Sequence, residues 1–475
     1  MKYQKIFHGA LSMMIALIFI SGCSDNMEQP ERPNIVLILS DDHSVPYLGC
    51  YGNPDLKTPN IDRIASQGIR FDEAYTTAPQ CVPSRASIMT GRPVVDVRMT
   101  RFSAPLPADI ITFPEKLREA GYFTGLCGRS YHLDGSAVQP EETKEVFEKY
   151  GLRTFANRVD FLRKSNGQKA YAEFKEFLDQ VPGDKPFFIQ IGYNDPHRPF
   201  NAPEFDPNPI SLTIPPGMPD TPELRKDLAA HYGLIHRLDK NVGEILDELD
   251  KRELDQNTLV IFMGDNGAAL LRGKGTLYKC GLHVPLIARW PAVIKPGQIS
   301  DAFISGEDIA PTLIEIAGVS LPEKVSGISF LPVFHGKNYE DHEYIFAARG
   351  THGSGLPDGT ASFDLSRTVF SKKHKLIYNA LWQIPYDPVD FYDEPVWKEL
   401  TLMNEQNKLE KKYSDLFFAP VRPMFELFDL EKDPNEFINV IGFSEYTEVE
   451  KLLKYRLQEW MILNQDYLPL PIPTN

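Results

Sequence analysis

The sequence predicts an α/β fold, with helices covering both faces of a large, mostly parallel sheet and a smaller α+β subdomain following it. Three features carry that expectation. Continuous apolar runs such as Ile35-Val36-Leu37-Ile38-Leu39 and Leu259-Val260-Ile261-Phe262-Met263 have the length and β-branching of strands buried on both faces. Helix-length amphipathic segments separate such runs, an alternation that implies parallel strands joined by crossover helices. From Pro322 to Asn338 the pattern changes to turns, and short strands follow, two of them joined by a polar turn.

Asn34 to Leu39 is the first strand. Thr58 to Gly68 is a short helix by its capping Thr58, its Pro59 in the first turn and its closing Gly68. Ile69 to Ala74 returns as a strand, and Pro83 to Gly91 has the proline entry and glycine exit of a further helix. Phe113 to Ala120 forms a helix stopped by Gly121 and followed by the strand Tyr122 to Leu126; Ala170 to Leu178 and Pro186 to Ile191 repeat the pair. The longest helix starts at Thr221-Pro222. In it Leu224, Leu228, Tyr232, Ile235, Leu238, Val242, Ile245 and Leu249 recur at intervals of three and four, one apolar stripe for the sheet. Val284 to Trp290 and Asp308 to Ala317 are the last strand and helix of this region. Beyond it, Tyr344 to Ala348, Thr368 to Ser371, Lys375 to Tyr378 and Phe425 to Leu430 form an antiparallel sheet, closed by a helix over Glu448 to Leu463.

Composition is that of an ordinary globular protein, 42% hydrophobic and 24% charged, and 475 residues suit one large domain with a smaller one. A net charge of −15 argues against nucleic acid as a general partner, and leaves room for an anionic substrate in a local basic pocket. Lys2 and Lys5 precede an apolar core from Ala10 to Ile20 that is too short to span a membrane. Ile20-Ser21-Gly22-Cys23 resembles a bacterial lipobox. Residues 1–22 are therefore expected to be a lipoprotein signal peptide, Cys23 the lipidated terminus, and 23–33 a polar tether ahead of a catalytic region at 34–335 and a C-terminal subdomain at 336–475. The expected location is the bacterial cell envelope, periplasmic or cell-surface, with membrane contact through the lipid alone. Cys50, Cys127 and Cys280 lack regular spacing and are expected to be buried thiols, with one disulfide allowed in an oxidising compartment.

The chemistry gathers at strand ends. Asp41 and Asp42 follow the first strand, and Asp265 and Asn266 follow Leu259 to Met263. Carboxylates there are costly unless paired or cation-bound, and open α/β sheets place their sites at that edge. Four oxygen-bearing side chains suit Ca²⁺ or Mg²⁺ rather than zinc. Cys81 stands at the mouth of a helix, where unpaired N–H groups favour an anion. Two further strands empty into Gly128-Arg129-Ser130-Tyr131-His132 and Asp195-Pro196-His197-Arg198. Gly273-Lys274-Gly275 lacks the spacing and setting of a nucleotide-binding loop.

Cys81-Val82-Pro83-Ser84-Arg85-Ala86-Ser87, continued by Thr90-Gly91-Arg92, resembles the signature of the type I, formylglycine-dependent sulfatases of the alkaline-phosphatase-like superfamily, and the other strand-end blocks occur in that family's order. The resemblance implies that a sulfatase-maturing enzyme converts Cys81 to formylglycine and that the protein hydrolyses sulfate groups from a sulfated polysaccharide or its oligosaccharides. It also implies that Asp41, Asp42, Asp265 and Asn266, with residue 81, hold Ca²⁺ or Mg²⁺. Arg85 would brace the formylglycine diol and Lys274 the sulfate. His132 would be the base that drives sulfate elimination, and His197 the acid for the leaving oxygen. Arg129 stands where the family usually has lysine, so a planar fork replaces a point charge and re-sets the sulfate grip.

Gly128 to His132 and Leu48-Gly49-Cys50-Tyr51-Gly52 are similar to the iduronate-2-sulfatase branch. Asp195-Pro196-His197-Arg198, Asp227-Leu228-Ala229-Ala230 and the stretch from Tyr378 to Glu399 are similar to the sulfamidase branch, which acts on N-sulfoglucosamine. Arg98, Arg101, Arg198 and His352 are candidate contacts to sugar or carboxylate. Expected substrates are a glycosaminoglycan or an algal, ulvan-type polysaccharide. The rival expectations are a non-catalytic glycan-binding surface lipoprotein and a phosphodiesterase or phosphonate hydrolase of the same superfamily.

Overall fold

A computed structural model describes residues 32–101, 105–133, 145–146, 149–165, 167–353 and 359–471, the side chains of residues 131 and 132 excepted. The expected signal peptide, Cys23 and the tether as far as residue 31 lie outside the described residues. Among the described residues no helix is long and apolar enough to cross a membrane.

Eight strands form the main sheet: β1 Asn34–Ser40, β2 Ile69–Tyr75, β3 Phe123–Gly128, β4 Phe161–Leu162, β5 Phe187–Gly192, β6 Thr258–Gly264, β7 Leu286–Arg289 and β8 Gln298–Ser305. Their order is β4-β3-β5-β1-β6-β7-β2-β8. β1 lies parallel to both neighbours, with Leu37 opposite Gln190 of β5 and Ile261 of β6. Its continuous apolar run follows from having two packed faces. Ile35, Leu37 and Leu39 meet Phe113, Leu117, Ile309 and Leu313 on one side. Val36 and Ile38 meet Leu228, Ile235, Leu238, Val242 and Ile245 of the helix Pro222–Lys251 on the other. Each such aliphatic side chain contributes roughly 1.5–3 kcal/mol by leaving water.

Three sequence expectations need correction. The strand expected over Val284 to Trp290 is confined to Leu286–Arg289, and it runs antiparallel to β6 and to β2. β8 had no counterpart in the sequence reading, because only its last four residues are buried and Ile299 is 62% exposed, the look of a sheet edge rather than a core strand. Of the three cysteines expected to be buried, Cys127 is, whereas Cys50 is half-buried and Cys280 exposed; the described cysteines are all free thiols.

β9 Ile345–Arg349, β10 Ser366–Phe370, β11 His374–Asn379 and β12 Phe425–Asp429 form a second, antiparallel sheet in the order β12-β11-β10-β9. The helix Thr447–Leu463 covers one face through Leu453, Leu457 and Trp460, the last stacked on Phe346 at 5.3 Å. The other face, Ile345, Ala347, Phe370, Ile377 and Phe428, packs on Tyr75, Leu277, Leu282 and Phe303 of the first region. The second sheet is thereby pressed against the ends of β2 and β8, and the chain leaving β11 returns towards the C-terminal edge of the main sheet.

Candidate active site

Among the described residues every strand of the main sheet except β7 runs the same way, so the C-terminal ends of β1, β2, β3, β5 and β6 share one edge. Register brings the residues beyond them together. Ser40 of β1 lies opposite Gly264 of β6, and Asp265 N donates to Ser40 O at 3.0 Å, which sets Asp41 and Asp42 beside Asp265 and Asn266. Asp42 takes up a left-handed backbone (φ 62°), turning the chain so that its N–H donates to Asp265 Oδ1 at 3.0 Å. β3 ends on Gly128, where φ is +70° and a Cβ would lie 2.1 Å from Gly192 O. Only glycine permits that approach, and it seats Arg129 with its N–H on Gly192 O at 2.8 Å.

β2 feeds the helix Cys81–Thr90, whose residues are all buried and whose end is capped by Gly91 in the left-handed conformation. Cys81 is its first residue rather than a residue ahead of it. The thiol Sγ lies 3.0 Å from Asp41 Oδ1 and 3.7 Å from Asp42 Oδ1. One turn on, Arg85 Nε donates to Asp265 Oδ2 at 2.8 Å and its Nη2 to Asp41 Oδ2 at 3.0 Å, all three side chains being wholly buried. Arg129 Nε reaches the same Asp41 oxygen at 2.5 Å. Lys274 Nζ bridges Asp42 Oδ2 at 2.9 Å and Asp390 Oδ2 at 2.5 Å. His197 Nε2 stands 3.8 Å from Asp42 Oδ2 and 3.5 Å from Asp390 Oδ2. Its Nδ1 contacts the carbonyl of Arg198, an acceptor only, so in the neutral ring Nδ1 carries the proton.

Burial dominates the electrostatics. It raises Asp42 to about 6 even though Lys274 pulls the other way, and, together with neighbouring Asp41, it raises Asp265 to about 6. Burial and then Lys274 push His197 down to about 4, which leaves its ring neutral at pH 7. Against the upward pull of its own burial, Lys274 and then His352 hold Asp390 far below the usual carboxylate range.

The residues present fit a divalent cation. Asp41, Asp42, Cys81 and His197 each offer an atom within 4.8 Å of the others. Asp265 and Asn266 join that group through hydrogen bonds, and Asn266 Oδ1 is a buried oxygen with no donor, while its amide nitrogen donates to Asp42 Oδ1 at 2.8 Å. Charge agrees. Among the described residues the four carboxylates Asp41, Asp42, Asp265 and Asp390 face three cations, Arg85, Arg129 and Lys274. A divalent cation turns that surplus of one negative charge into one positive charge, and a singly charged ester anion then neutralises it.

Of the remaining sequence candidates, the side chain of His132 lies outside the described residues. Arg198 is buried, paired with Asp227 and stacked on Phe200 at 4.1 Å, so it ties the His197 loop to the long helix. It also lines a cleft of about 300 Å³ with Arg129, Asn194 and Arg237. Arg98 is exposed and paired with Asp109 at 2.7 Å, and Arg101 is exposed next to undescribed residues. His352 is in the cluster, its Nε2 3.1 Å from Asp390 Oδ1. Asp390 was not singled out from sequence. It sits in an irregular stretch with a left-handed φ of 68° and belongs to no strand-end block; only the noted similarity of residues 378–399 pointed to this region.

Comparison with known proteins places these features. Residues 33–319 match the protein-family model described as Sulfatase. The chain is 27% identical to human N-sulphoglucosamine sulphohydrolase, over 90% of each protein. It is 28% identical to an ulvan-active sulfatase of Formosa agariphila, over 94% of this chain and 84% of that one. Among solved structures, a protein in complex with its substrate D-glucosamine-2-N,6-O-disulfate superposes with a TM-score of 0.68 at 21% identity, covering 92% of this chain and 99% of the other.

Proposed function

The chain belongs to the sulfatase family and is a hydrolase of sulfate esters, and on that premise we propose that its substrate is a sulfated carbohydrate, hydrolysed with a formylglycine derived from Cys81 and a divalent cation. Cys81 is the observation that carries the reading. As a thiol it is a poor nucleophile, because burial, then Asp41, pushes it well above the ordinary thiol range. Its position at a helix N-terminus, between two carboxylates and an arginine, gains a chemical purpose once the side chain is converted.

Asp41, Asp42, Asp265 and Asn266, with residue 81, would hold the cation; Ca²⁺ is the ion proposed, with Mg²⁺ as the alternative. The formylglycine hydrate would supply a hydroxyl nucleophile, and the cation positive charge at the sulfate oxygens. The chain's own residues do the rest. Arg85 locks Asp41 and Asp265 in place, so the oxygen donors are set before a ligand arrives. Lys274 and Arg129 bring two further positive charges to the edge where an ester anion binds, and Arg129 also faces the adjoining cleft. With its Nδ1 proton held by Arg198 O, His197 has Nε2 as the nitrogen that hands a proton to the leaving oxygen, and the negative charge of a bound ester favours the protonated ring. His132 is proposed as the base for elimination on the sequence block alone.

The human relative named for N-sulphoglucosamine and the Formosa relative named for ulvan give the two substrate classes to compare first. A lipid anchor at Cys23 and a place in the bacterial cell envelope complete the proposal, and metabolic labelling with a fatty-acid analogue, lost in Cys23→Ser, checks that part. The main test is peptide mass spectrometry of residue 81 from a host with a sulfatase-maturing enzyme, together with sulfate release from a panel of sulfated mono- and disaccharides. Wholly unmodified Cys81 with no sulfate release overturns the enzymatic reading. A preference for the phosphate over the sulfate ester of one leaving group points instead to the phosphodiesterase alternative.

A further inference from the structure

Asp390 is a carboxylate inside a site built for an anion, and its surroundings are ordered as if for a purpose of its own. Gly350 N donates to Gln80 Oε1 at 3.3 Å, which orients the Gln80 amide so that Nε2 faces His352 Nδ1, also at 3.3 Å. His352 therefore accepts at Nδ1 and carries its proton on Nε2, which donates to Asp390 Oδ1 at 3.1 Å. Gln80 directly precedes Cys81, so this relay runs from the nucleophile's own turn to Asp390. The other carboxylate oxygen accepts from Lys274.

Two acceptor positions of the carboxylate are thereby used, and about two remain. The side chain is 24% exposed, against 18% for His197, 15% for His352 and 1% for Lys274. Solvent, and so substrate, meets this part of the cluster first at Asp390 and the two imidazoles. The backbone that presents Asp390 is held by packing of Phe391 and Trp397 into the core of the long helix, and Val389 fills the space where a Cβ on Gly275 would sit.

We propose that Asp390, oriented by His352, is a specificity-determining residue that accepts a hydrogen bond from a hydroxyl or amino group on the sugar carrying the scissile sulfate, and that it disfavours a second anionic group at that neighbouring position. This rests on the sulfated-carbohydrate reading and narrows it. A hydroxyl there gains a charge-assisted hydrogen bond. A second sulfate or a carboxylate meets a fixed negative charge with no donor between them, the repulsive element that selectivity requires.

The test uses mature enzyme and its Asp390→Asn and His352→Gln variants. The probes are glucosamine 6-sulfate, N-sulfoglucosamine, glucosamine N,6-disulfate and 4-nitrophenyl sulfate. Wild type is expected to prefer whichever monosulfated sugar it cleaves over the disulfate. Asp390→Asn should shrink that preference about 10–100-fold in kcat/KM, chiefly through KM, the range of one hydrogen bond to a charged group. His352→Gln should move it in the same direction by less. An unchanged ratio, with all four probes penalised alike, refutes the proposal and leaves Asp390 as a prop for Lys274. Calorimetric binding of the same sugars to unmodified, Cys81-containing protein reads the selectivity without turnover. If no probe is hydrolysed but the binding ratio still collapses in Asp390→Asn, the sulfatase reading fails and the Asp390 inference stands; if that ratio holds, the inference fails.

Discussion

Replacing Arg85 by methionine removes one positive charge from between two carboxylates at nearly constant volume. In the folded chain Arg85 spans Asp41 and Asp265 at 3.0 and 2.8 Å, and all three are wholly buried. Removing one partner of a buried ion pair costs about 3–5 kcal/mol, because the other charge is left in a medium that cannot solvate it. Asp265 loses its partner while Asp41 keeps Arg129, which puts Arg85→Met within that range. For a chain of 475 residues, whose unfolding entropy is about 1 kcal/mol/K, the loss corresponds to a fall of roughly 3–5 °C in Tm. Calorimetry of the Cys81 form, in chelator and in calcium, is the assay, since it needs neither maturation nor turnover. Calcium at about 100-fold over its Kd adds about 2.7 kcal/mol to a protein that binds it only when folded. Because the cation would bring positive charge to the same two carboxylates, its increment should be larger in Arg85→Met than in wild type. A variant within 1 °C of wild type in chelator refutes the ion-pair argument. A smaller calcium increment in the variant refutes the shared placement of arginine and cation.

Four further expectations can be checked independently. Asp265→Asn should purify folded, with an unchanged circular dichroism spectrum, and with far less divalent cation by elemental analysis than wild type prepared alongside it; full occupancy in the variant removes Asp265 from the donor set. His197→Ala should cost a sugar sulfate about 10²–10⁴-fold and an aryl sulfate, whose phenolate leaves unaided, far less; equal losses remove His197 from the acid role. Gly128→Ala should be destabilised by several kcal/mol or fail to fold, since its Cβ would lie 2.1 Å from Gly192 O at a φ of +70°; wild-type stability in denaturant titration contradicts this account of how Arg129 is seated. Finally, His342 donates to both oxygens of buried Asp308, at 2.9 and 3.0 Å. Burial lowers its pKa and Asp308 raises it more, so the net shift is upward from 6.5. The imidazolium therefore stabilises the fold fully below about pH 6.5 and that contribution is lost as pH rises through the folded value. Stability of wild type should fall as pH rises above about 6.5, and His342→Asn should flatten that slope; an unchanged slope excludes the pair as its source.

The local chemistry was written in the sequence, and its assembly was not. Residues 34–39 and 259–263 announced two-sided strands because their side chains are apolar on both faces, and Asp41, Asp42, Asp265 and Asn266 stood out because polar groups at the ends of such strands need a reason. Cys81, Arg85, Lys274 and His197 were found through contiguous motifs, which survive in one dimension because each occupies a single turn or strand end. What no linear pattern holds is register and return. The placement of Asp41 against Asp265 depends on β1 pairing with β6 across more than two hundred residues, through Ser40 opposite Gly264. β7 runs antiparallel although its composition is that of its parallel neighbours, since burial sets composition whatever the strand direction. Asp390 lay unread because it occupies an irregular segment whose only order comes from packing Phe391 and Trp397 against the long helix. Its role beside Lys274 and His352 exists only once the second sheet is pressed against the first. Order along the chain shows which residues carry reactive groups and on which kind of element, whereas packing brings them into one site, because proximity between distant segments is a property of packing and not of order along the chain.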